Sequence, residues 1–291
     1  MTPPVDPVLV RIGFWEIRWY GVLITLGILL GAVYAARQAP KKGIHPDHIW
    51  NGLILAVVLG IIGARLYHVF SSPRGGGLGW EWYRQHPLDI LKIWQGGLGI
   101  YGAIIGGILG VAIYAWRNRL PLLVLLDLGA PGLALGQAIG RWGNFINQEL
   151  YGPPTGSSWW GVKIDAAHRL EMYPISQYPP DTLFHPTFLY ESLWCLMLFL
   201  VLAVLAKKRA DRLRDGDIFV GYIVGYALGR FWIEFFRPDA WMIGPLAAAQ
   251  WFGLALALAG VALLVLRRRS PAQPAESANA EKAGDGGTEE S

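Results

Sequence analysis

Apolar residues along the chain fall into seven long runs, which are separated by polar or glycine-rich stretches. The runs cover residues 19–36, 49–70, 96–116, 120–139, 188–206, 217–236 and 245–266. The last run contains no charged residue and is longer than the roughly 18 residues that mark a candidate membrane span. Runs this long and this frequent are not explained by a large soluble core. The pattern therefore predicts an all-α polytopic membrane protein with seven transmembrane helices.

The composition supports this class and excludes others. Hydrophobic residues make up 53% of the chain and charged residues only 16%, whereas a soluble domain carries about 25% charged residues. The net charge of +4 is small and scattered, so no nucleic acid partner is predicted. The single cysteine, Cys195, excludes an intramolecular disulfide and a multi-cysteine metal centre. It lies in the run LWCLMLFL, which favours a small buried apolar residue over a nucleophile.

Basic residues at the ends of the runs predict the orientation of the bundle. Just over half of the 25 Lys and Arg residues follow the first, third, fifth and seventh runs, all on one side. They are Arg37, Lys41, Lys42, Arg117, Arg119, Lys207, Lys208, Arg209, Arg212, Arg214, Arg267, Arg268 and Arg269. Because short cytoplasmic loops are enriched in Lys and Arg, that side is predicted to be cytoplasmic. The N-terminus is then outside and the C-terminus inside.

Two connections on the predicted outer side are longer than usual. Residues 71–95 are rich in Gly, Trp and Tyr and could lie along the membrane surface as an interfacial arm. Residues 141–185 exceed the usual loop length and are predicted to form a small outer head on the periplasmic side. Residues 270–291 contain no large apolar residue and are typical of a disordered cytoplasmic tail. Residues 1–269 are therefore interpreted as one seven-span domain.

Several charged residues lie within or at the ends of the apolar runs. They are Arg65, Asp127, Glu191, Arg230, Glu234 and Arg237. A charge near the centre of a span costs roughly 2.5–3.5 kcal/mol, so such residues face partners or a wet cavity. Arg230, Glu234 and Arg237 share one helix face at spacings i, i+4 and i+7. A purely structural ion pair between Arg230 and Glu234 is the alternative, and it leaves Arg237 and Arg65 without an evident partner.

The densest polar stretch is GRWGNFINQELYG, at residues 140–152. If the fourth helix continues through it, four polar residues recur along one side, with Glu149 and Gly152 following. These four are Arg141, Asn144, Asn147 and Gln148. Amides and guanidinium groups donate to phosphate and ester oxygens, and arginine does so bidentately, which suits a phosphodiester better than a metal. The alternative is a polar helix cap that rises out of the membrane.

Small residues recur four apart in four of the runs, which predicts close packing between helices in lipid. The stripes are Gly27/Gly31/Ala35, Gly102/Gly106/Gly110, Gly132/Gly136/Gly140 and Gly221/Gly225/Gly229.

The polar stretch at 140–152 resembles the signature G-R-x-G-N-F-x-N-x-E-x-x-G of the prolipoprotein diacylglyceryl transferase family. The fixed positions are present as Gly140, Arg141, Gly143, Asn144, Phe145, Asn147, Glu149 and Gly152. Supporting matches extend over nearly the whole chain up to Arg269. They are RWYG at 18–21, GARLYHV at 63–69, WQGGLGIYGAIIGG at 94–107, HPTFLYE at 185–191 and GRFWIEFFRPD at 229–239.

The resemblance implies a transferase in the bacterial cytoplasmic (inner) membrane that carries out the first step of lipoprotein maturation. Its reaction moves the sn-1,2-diacylglyceryl group of phosphatidylglycerol, a membrane lipid, onto the lipobox cysteine in the signal peptide of a secreted prolipoprotein. The products are a thioether-linked lipid and glycerol phosphate. The nucleophile belongs to the substrate, so neither Cys195 nor a metal or other cofactor is required.

The resemblance also implies roles for individual residues. Arg141 is the strongest candidate for binding the lipid head group, with Asn144 and Glu149 fixing its orientation. Arg230 corresponds to an essential arginine, with Glu234 and Arg237 as its partners. The further lipid- or substrate-binding candidates are Tyr20, Arg65, Asn147, Gly152 and His185.

Tyr101 departs from the family pattern and is the remaining catalytic candidate. Many members carry a histidine in this region, often proposed as the base for the thiol. A phenol with a pKa of about 10 is a poor base at neutral pH. Either the base is elsewhere, or this position mainly binds lipid, or the arginines lower the pKa of the thiol. We favour the last two together.

Two other classes of function compete with this interpretation. A transporter or channel also carries charges in its spans, but no inverted repeat is visible and, Asp127 and Glu191 apart, the charges gather toward the outer half. A structural membrane subunit leaves the matched motifs as coincidence.

Overall fold

The computed structural model describes residues 1–4, 6–13, 15–71, 79–209 and 212–269. These residues form eight α-helices. They are α1 (Trp19–Gln38), α2 (Pro46–Phe70), α3 (Trp80–Tyr83), α4 (Ile100–Arg117), α5 (Leu122–Ile146), α6 (Thr187–Lys208), α7 (Asp217–Ile233) and α8 (Ala248–Arg269). All of them except the one-turn helix α3 are long and apolar enough to cross a membrane. The prediction of a mostly helical protein with seven candidate spans is confirmed.

Three short pairs of antiparallel strands accompany the helices. They pair β1 (Val8–Ile12) with β2 (Trp15–Arg18), β3 (Val162–Lys163) with β4 (Leu183–Phe184), and β5 (Met242–Ile243) with β6 (Leu246–Ala247). The all-α prediction missed them because strands of two to five residues are too short to show an alternating pattern. The predicted tail at 270–291 and part of the predicted arm, 72–78, lie outside the described residues.

Two helix boundaries differ from the predicted runs in ways that matter for the site. Helix α4 begins at Ile100 rather than at 96 because Gly96 and Gly97 have φ angles of +89° and +74°, which a right-handed helix does not use. Helix α5 continues past 139 to Ile146. As a result, Arg141 lies on the helix and not in the head.

Close helix packing at the glycine stripes is confirmed for most of their positions. Helices α1 and α5 run antiparallel, and a Cβ on Gly31 would lie 2.7 Å from the carbonyl oxygen of Gly132. A Cβ on Gly102 of α4 would likewise overlap the carbonyl oxygen of Gly63 on α2. Gly140 differs, since its Cβ would meet only a side-chain carbon at 4.0 Å. Backbone contact of this kind is how helices associate where lipid provides no hydrophobic driving force.

The connection between α5 and α6 has a core of its own. Tyr151, Val162, Ile164, Tyr173 and Phe184 are buried together. The helical extension of α5 means that this unit starts after Ile146, not at 141. We call this end of the bundle the head end. The opposite end, where α1, α4, α6 and α8 finish among their Lys and Arg residues, is the basic end.

Asp127, the charge within the fourth span, lies at the basic end, where it caps helix α7. Its carboxylate accepts hydrogen bonds from the backbone N–H of Gly216 (2.7 Å) and of Phe219 (2.8 Å). The first N–H groups of a helix have no partner within the helix, and a carboxylate satisfies them well. Asp127 therefore has a structural role that ties α7 to α5.

Replacing Asp127 with alanine is expected to lower the thermal stability of the detergent-solubilised protein. The change removes a cap worth about 0.5–2 kcal/mol and leaves two buried N–H groups unsatisfied. Asp47, in the first turn of α2 with a side chain that is 75% exposed, provides the matched control. An equal unfolding temperature for the Asp127 and Asp47 variants would contradict the capping role.

Candidate active site

Four charged side chains meet at the head end of the bundle, three of them on α5, α6 and α7 and the fourth on the 3₁₀ turn that follows α7. Arg141 Nη2 on α5 lies 2.5 Å from Glu191 Oε2 on α6, and Arg230 Nη1 on α7 lies 3.5 Å from Glu191 Oε1. Arg230 Nη2 also lies 2.5 Å from Glu234 Oε2. We call these four residues the arginine–glutamate cluster. Glu191 is its bridge, because its two oxygens contact different arginines.

Burial within the cluster is uneven. The side chains of Glu191 and Glu234 are 6% exposed, whereas those of Arg141 and Arg230 are 21% and 20% exposed. A buried carboxylate is costly without a partner, and here each carboxylate has at least one arginine. Each arginine is therefore paired with a buried carboxylate, and about a fifth of each arginine side chain remains exposed.

The cluster retains the capacity to bind an anion. Its formal charges cancel, but each guanidinium has five N–H donors. Within the described part of the chain, Arg141 uses donors toward Glu191 and toward Asn144 Oδ1 at 3.4 Å. Arg230 uses donors toward Glu191 and Glu234. The salt bridges hold the two guanidinium groups in place. Their remaining N–H donors are available to phosphate oxygens, which arginine binds bidentately.

Asn144 connects the cluster to Glu149. Its Nδ2 donates to Glu149 Oε1 at 2.7 Å while its Oδ1 accepts from Arg141. Asn147 Nδ2 lies 3.4 Å from the same oxygen of Glu149. The predicted contact between Asn144 and Arg141 is therefore present, and among the described contacts Asn144 links Glu149 to Arg141.

A tight turn after α5 places Glu149 over the end of its own helix. Gln148 and Leu150 have φ angles of +56° and +54°, a left-handed conformation that is strained for these residues. The Glu149 N–H donates to the carbonyl of Asn144 at 3.0 Å. The polar side predicted for a continuing helix thus ends at Asn147. Gln148 turns away and bonds Asp165 in the head through both its amide atoms.

Tyr20 and Gly152 lie beside these residues, and close contact explains the glycines involved. The ring of Tyr20, in the first turn of α1, packs on Gly143, where a Cβ would overlap ring carbon Cδ2. Gly152 donates its N–H to the carbonyl of His185 at 2.9 Å. A Cβ on Gly152 would lie 2.9 Å from the carbonyl oxygen of Phe236, so only glycine lets the chain pass here.

His185 lies between the head and the ends of α6 and α7. Its Nδ1 is 3.0 Å from Tyr190 Oη, and its ring packs on Phe236 with centroids 5.1 Å apart. Burial lowers the pKa of the imidazole, which favours the neutral form at pH 7. His185 is therefore placed at the edge of the site as a neutral group.

For the side chains of three predicted site residues, no contact with a side chain of the cluster is found among the described residues. The backbone N–H of Arg237 does donate to the carbonyl of Glu234 at 3.0 Å. Arg237 lies beyond the end of α7, where the chain tightens into a 3₁₀ turn at Glu234–Phe236, and its Nη2 lies 3.4 Å from Asp239 Oδ2. Tyr101 is 63% exposed and packs on Tyr67. Arg65, which appeared to lack partners, bonds four backbone carbonyls.

Glu191 was missed as a site residue by the sequence analysis. It was recognised as a charge within a span and as part of HPTFLYE, but it was not assigned a role. The available signal was the need for a carboxylate to balance two arginines in an apolar environment. Which carboxylate would do so depends on the packing of α5, α6 and α7.

Comparison with known proteins identifies the family of this chain. The sequence model of the family described as prolipoprotein diacylglyceryl transferase matches residues 7–266. The chain belongs to the prolipoprotein diacylglyceryl transferase family. The resemblance inferred from the signature at residues 140–152 is thereby confirmed, and the match reaches into α8.

Relatives within this family are similar over most of their length. A phosphatidylglycerol–prolipoprotein diacylglyceryl transferase of Nostoc sp. is 44% identical over 274 residues, which cover 90% of this chain and 90% of that protein. The Chloroflexus aggregans protein of the same name is 42% identical, covering 82% and 80%. That of Streptococcus mutans is 37% identical, covering 93% and 98%. The whole seven-helix unit is thus shared with diacylglyceryl transferases.

Proposed function

We propose that this member of the family transfers the sn-1,2-diacylglyceryl group of phosphatidylglycerol to the lipobox cysteine of a prolipoprotein signal peptide. The observation that carries the proposal is the bridged arginine pair, Arg141–Glu191–Arg230, at the head end of the bundle. A phosphodiester is the part of the lipid that two fixed guanidinium groups suit best. The two proposed substrates are those that appear in the names of the relatives.

The bond changes of this reaction define what the site must do. The substrate sulfur forms a bond to the glycerol carbon of the diacylglyceryl group, and the bond between that carbon and the phosphate oxygen breaks. The electron pair of the broken bond stays on glycerol phosphate, which gains negative charge. The thiol proton is released to glycerol phosphate or water. Arg141 and Arg230 lower the barrier by donating to phosphate oxygens where this charge develops.

We assign Tyr101 to lipid contact rather than to proton transfer. It lies at the start of α4, largely exposed, with its ring 5.6 Å from that of Tyr67. A largely exposed ring beside another tyrosine suits contact with lipid. The guanidinium N–H donors of Arg141 and Arg230 that the carboxylates leave unused stabilise the thiolate of the incoming cysteine instead. No dedicated base is then needed on the enzyme.

The proposed orientation places the head end outside. Basic residues collect at the opposite end, following α1, α4, α6 and α8, and the positive-inside rule assigns that end to the cytoplasm. The N-terminus is then outside and the C-terminus cytoplasmic. The cluster lies at the level of the outer leaflet, where phosphatidylglycerol and a signal peptide could both reach it.

The test is transfer from labelled phosphatidylglycerol to a synthetic lipobox peptide by the purified protein in detergent. Label is expected on the peptide, with glycerol phosphate released in equal amount. A peptide with serine in place of cysteine is the matched control and should remain unlabelled. Absence of transfer by a folded protein, with an active family member as positive control, would refute the proposal.

Replacing Cys195 with serine is expected to leave the transfer rate within about twofold, because serine is close to cysteine in size and the proposed nucleophile belongs to the substrate. The thiol is 4% exposed on α6, and its Sγ lies 3.9 Å from Gln137 Oε1. Initial rates at saturating peptide provide the measurement. An inactive but folded variant would mean that the enzyme, and not the substrate, supplies the nucleophile.

A further inference from the structure

Arg65 is bound by backbone carbonyls rather than by a carboxylate, two of them in the predicted arm and two at Gly96 and Gly97 directly after it. Its guanidinium, near the head end of α2, is 7% exposed and donates to four carbonyl oxygens. Nε donates to Ile90 (2.8 Å), Nη1 to Gly96 (2.8 Å) and Gly97 (3.0 Å), and Nη2 to Asp89 (2.6 Å). Four of its five N–H donors are therefore engaged within the protein, which leaves little capacity to bind phosphate.

The chain segment that Arg65 binds lies directly on α2. A Cβ on Gly97, whose φ is +74°, would lie 2.6 Å from Arg65 Nη1 and from His68 Nε2. Gly99 donates its N–H to the carbonyl of Ala64 at 2.9 Å. Only glycine allows this approach at residue 97. The backbone at residues 96–99 is thus fixed to α2 just before α4 begins.

The same contacts determine where the first turn of α4 lies. Helix α4 starts at Ile100, one residue after the segment bound to α2. Tyr101 then packs on Tyr67 of α2, and Gly102 contacts the carbonyl of Gly63. Loss of the Arg65 bonds would free the arm and the segment leading to α4. Tyr101 would lose its fixed position as a result.

We infer that Arg65 is a positioning residue that fixes the arm and the first turn of α4 for the transfer reaction and does not itself bind the phosphate. This inference rests on the proposed function. The two possible roles make different demands on the side chain. A phosphate ligand needs positive charge, which lysine retains. The carbonyl contacts need the planar fork of a guanidinium, which a single ammonium group does not reproduce.

The experiment combines kinetics with a spin label on the arm. Leu91, which is 69% exposed, is replaced by cysteine and labelled with a nitroxide in the Cys195→Ser background. Arg65→Lys is compared with Arg84→Lys, an arm arginine whose side chain is 55% exposed and pairs with Glu81. In the Arg65 variant we expect a more mobile label. We also expect a kcat reduced roughly 10- to 100-fold, because a displaced Tyr101 leaves the bound lipid misplaced relative to the reacting atoms. KM for phosphatidylglycerol should change less than about threefold, and the Arg84 variant should match the parent.

Three outcomes would overturn the inference. An unchanged label spectrum would show that Arg65 does not hold the arm. A raised KM with unchanged kcat would show that Arg65 acts in binding the lipid and not in positioning the bound lipid for the reaction. A mobile label with normal kinetics would show that the arm's position does not matter for transfer.

The test remains decisive if Arg65→Lys does not fold or if the parent protein shows no transfer. If Arg65→Lys does not fold, Gly97→Ala disturbs the same contacts from the opposite side while keeping the guanidinium, and the same readouts apply. If the parent protein shows no transfer at all, the proposed function fails. The label comparison would still report whether Arg65 holds the arm.

Discussion

Replacing Arg141 with glutamine is expected to reduce kcat/KM for transfer by about 10²- to 10³-fold, the usual loss when one fixed donor to a developing charge is removed. Arg141 contacts Glu191 at 2.5 Å and Asn144 at 3.4 Å, and its side chain still reaches open space. Glutamine removes the charge and the paired N–H groups that suit a phosphodiester. The measurement is the rate of label transfer to the lipobox peptide over a range of phosphatidylglycerol concentrations.

A lysine at position 141 separates the effect of charge from that of geometry. Lysine retains the charge but lacks the fork that contacts Glu191 and Asn144 while leaving N–H groups for a ligand. We therefore expect Arg141→Lys to recover only a small part of the lost rate. Arg11→Gln, on the exposed hairpin β1–β2 with a side chain that is 56% exposed, is the matched control and should be fully active. Normal transfer by the folded Arg141→Gln variant would remove Arg141 from the site.

The seven spans could be predicted from the sequence because apolar length alone determines whether a helix suits lipid. Their ends could not, since the end of a helix depends on polar contacts formed after folding. Helix α5 continues to Ile146 because the arginine and asparagine in its last turns find partners on other segments. The three short strand pairs could not be predicted either. None of them has a strand long enough to show periodicity.

Within the site, the sequence indicated the residue types but not their pairing. Arg141 and Asn144 could be placed on one helix side from their spacing, and the pair Arg230–Glu234 from the i, i+4 rule. Arg237 could not be placed, because the helix tightens at Glu234 and the register changes. Arg65 was expected to face substrate, yet its partners are backbone carbonyls, which carry no sequence signal. The role of Glu191 could not be predicted, because its contacts with Arg141 and Arg230 form only when α5, α6 and α7 pack together.

Replacing Glu191 with glutamine is expected to reduce transfer by about 10²-fold, because misplacement of a catalytic group by about 1 Å can cost that much. Glutamine preserves the size of the side chain but removes the charge that holds Arg141 and Arg230 on opposite oxygens. The two partly buried guanidinium groups are then less well balanced by charge, and the single amide oxygen of glutamine cannot replace both carboxylate contacts. Arg141 keeps its contact with Asn144. Glu171, an exposed glutamate in the head, gives the control variant Glu171→Gln.

The double variant Arg141→Gln/Glu191→Gln tests whether Glu191 acts through Arg141. If it does, most of the loss from the glutamate change is already present once Arg141 is gone, and the double variant should be little worse than Arg141→Gln alone. Because Glu191 also contacts Arg230 at 3.5 Å, a residual further loss of a few-fold is expected from that second contact. Fully multiplicative losses would instead mean that Glu191 contributes independently of Arg141. Glu191 would then not act by holding Arg141 in place.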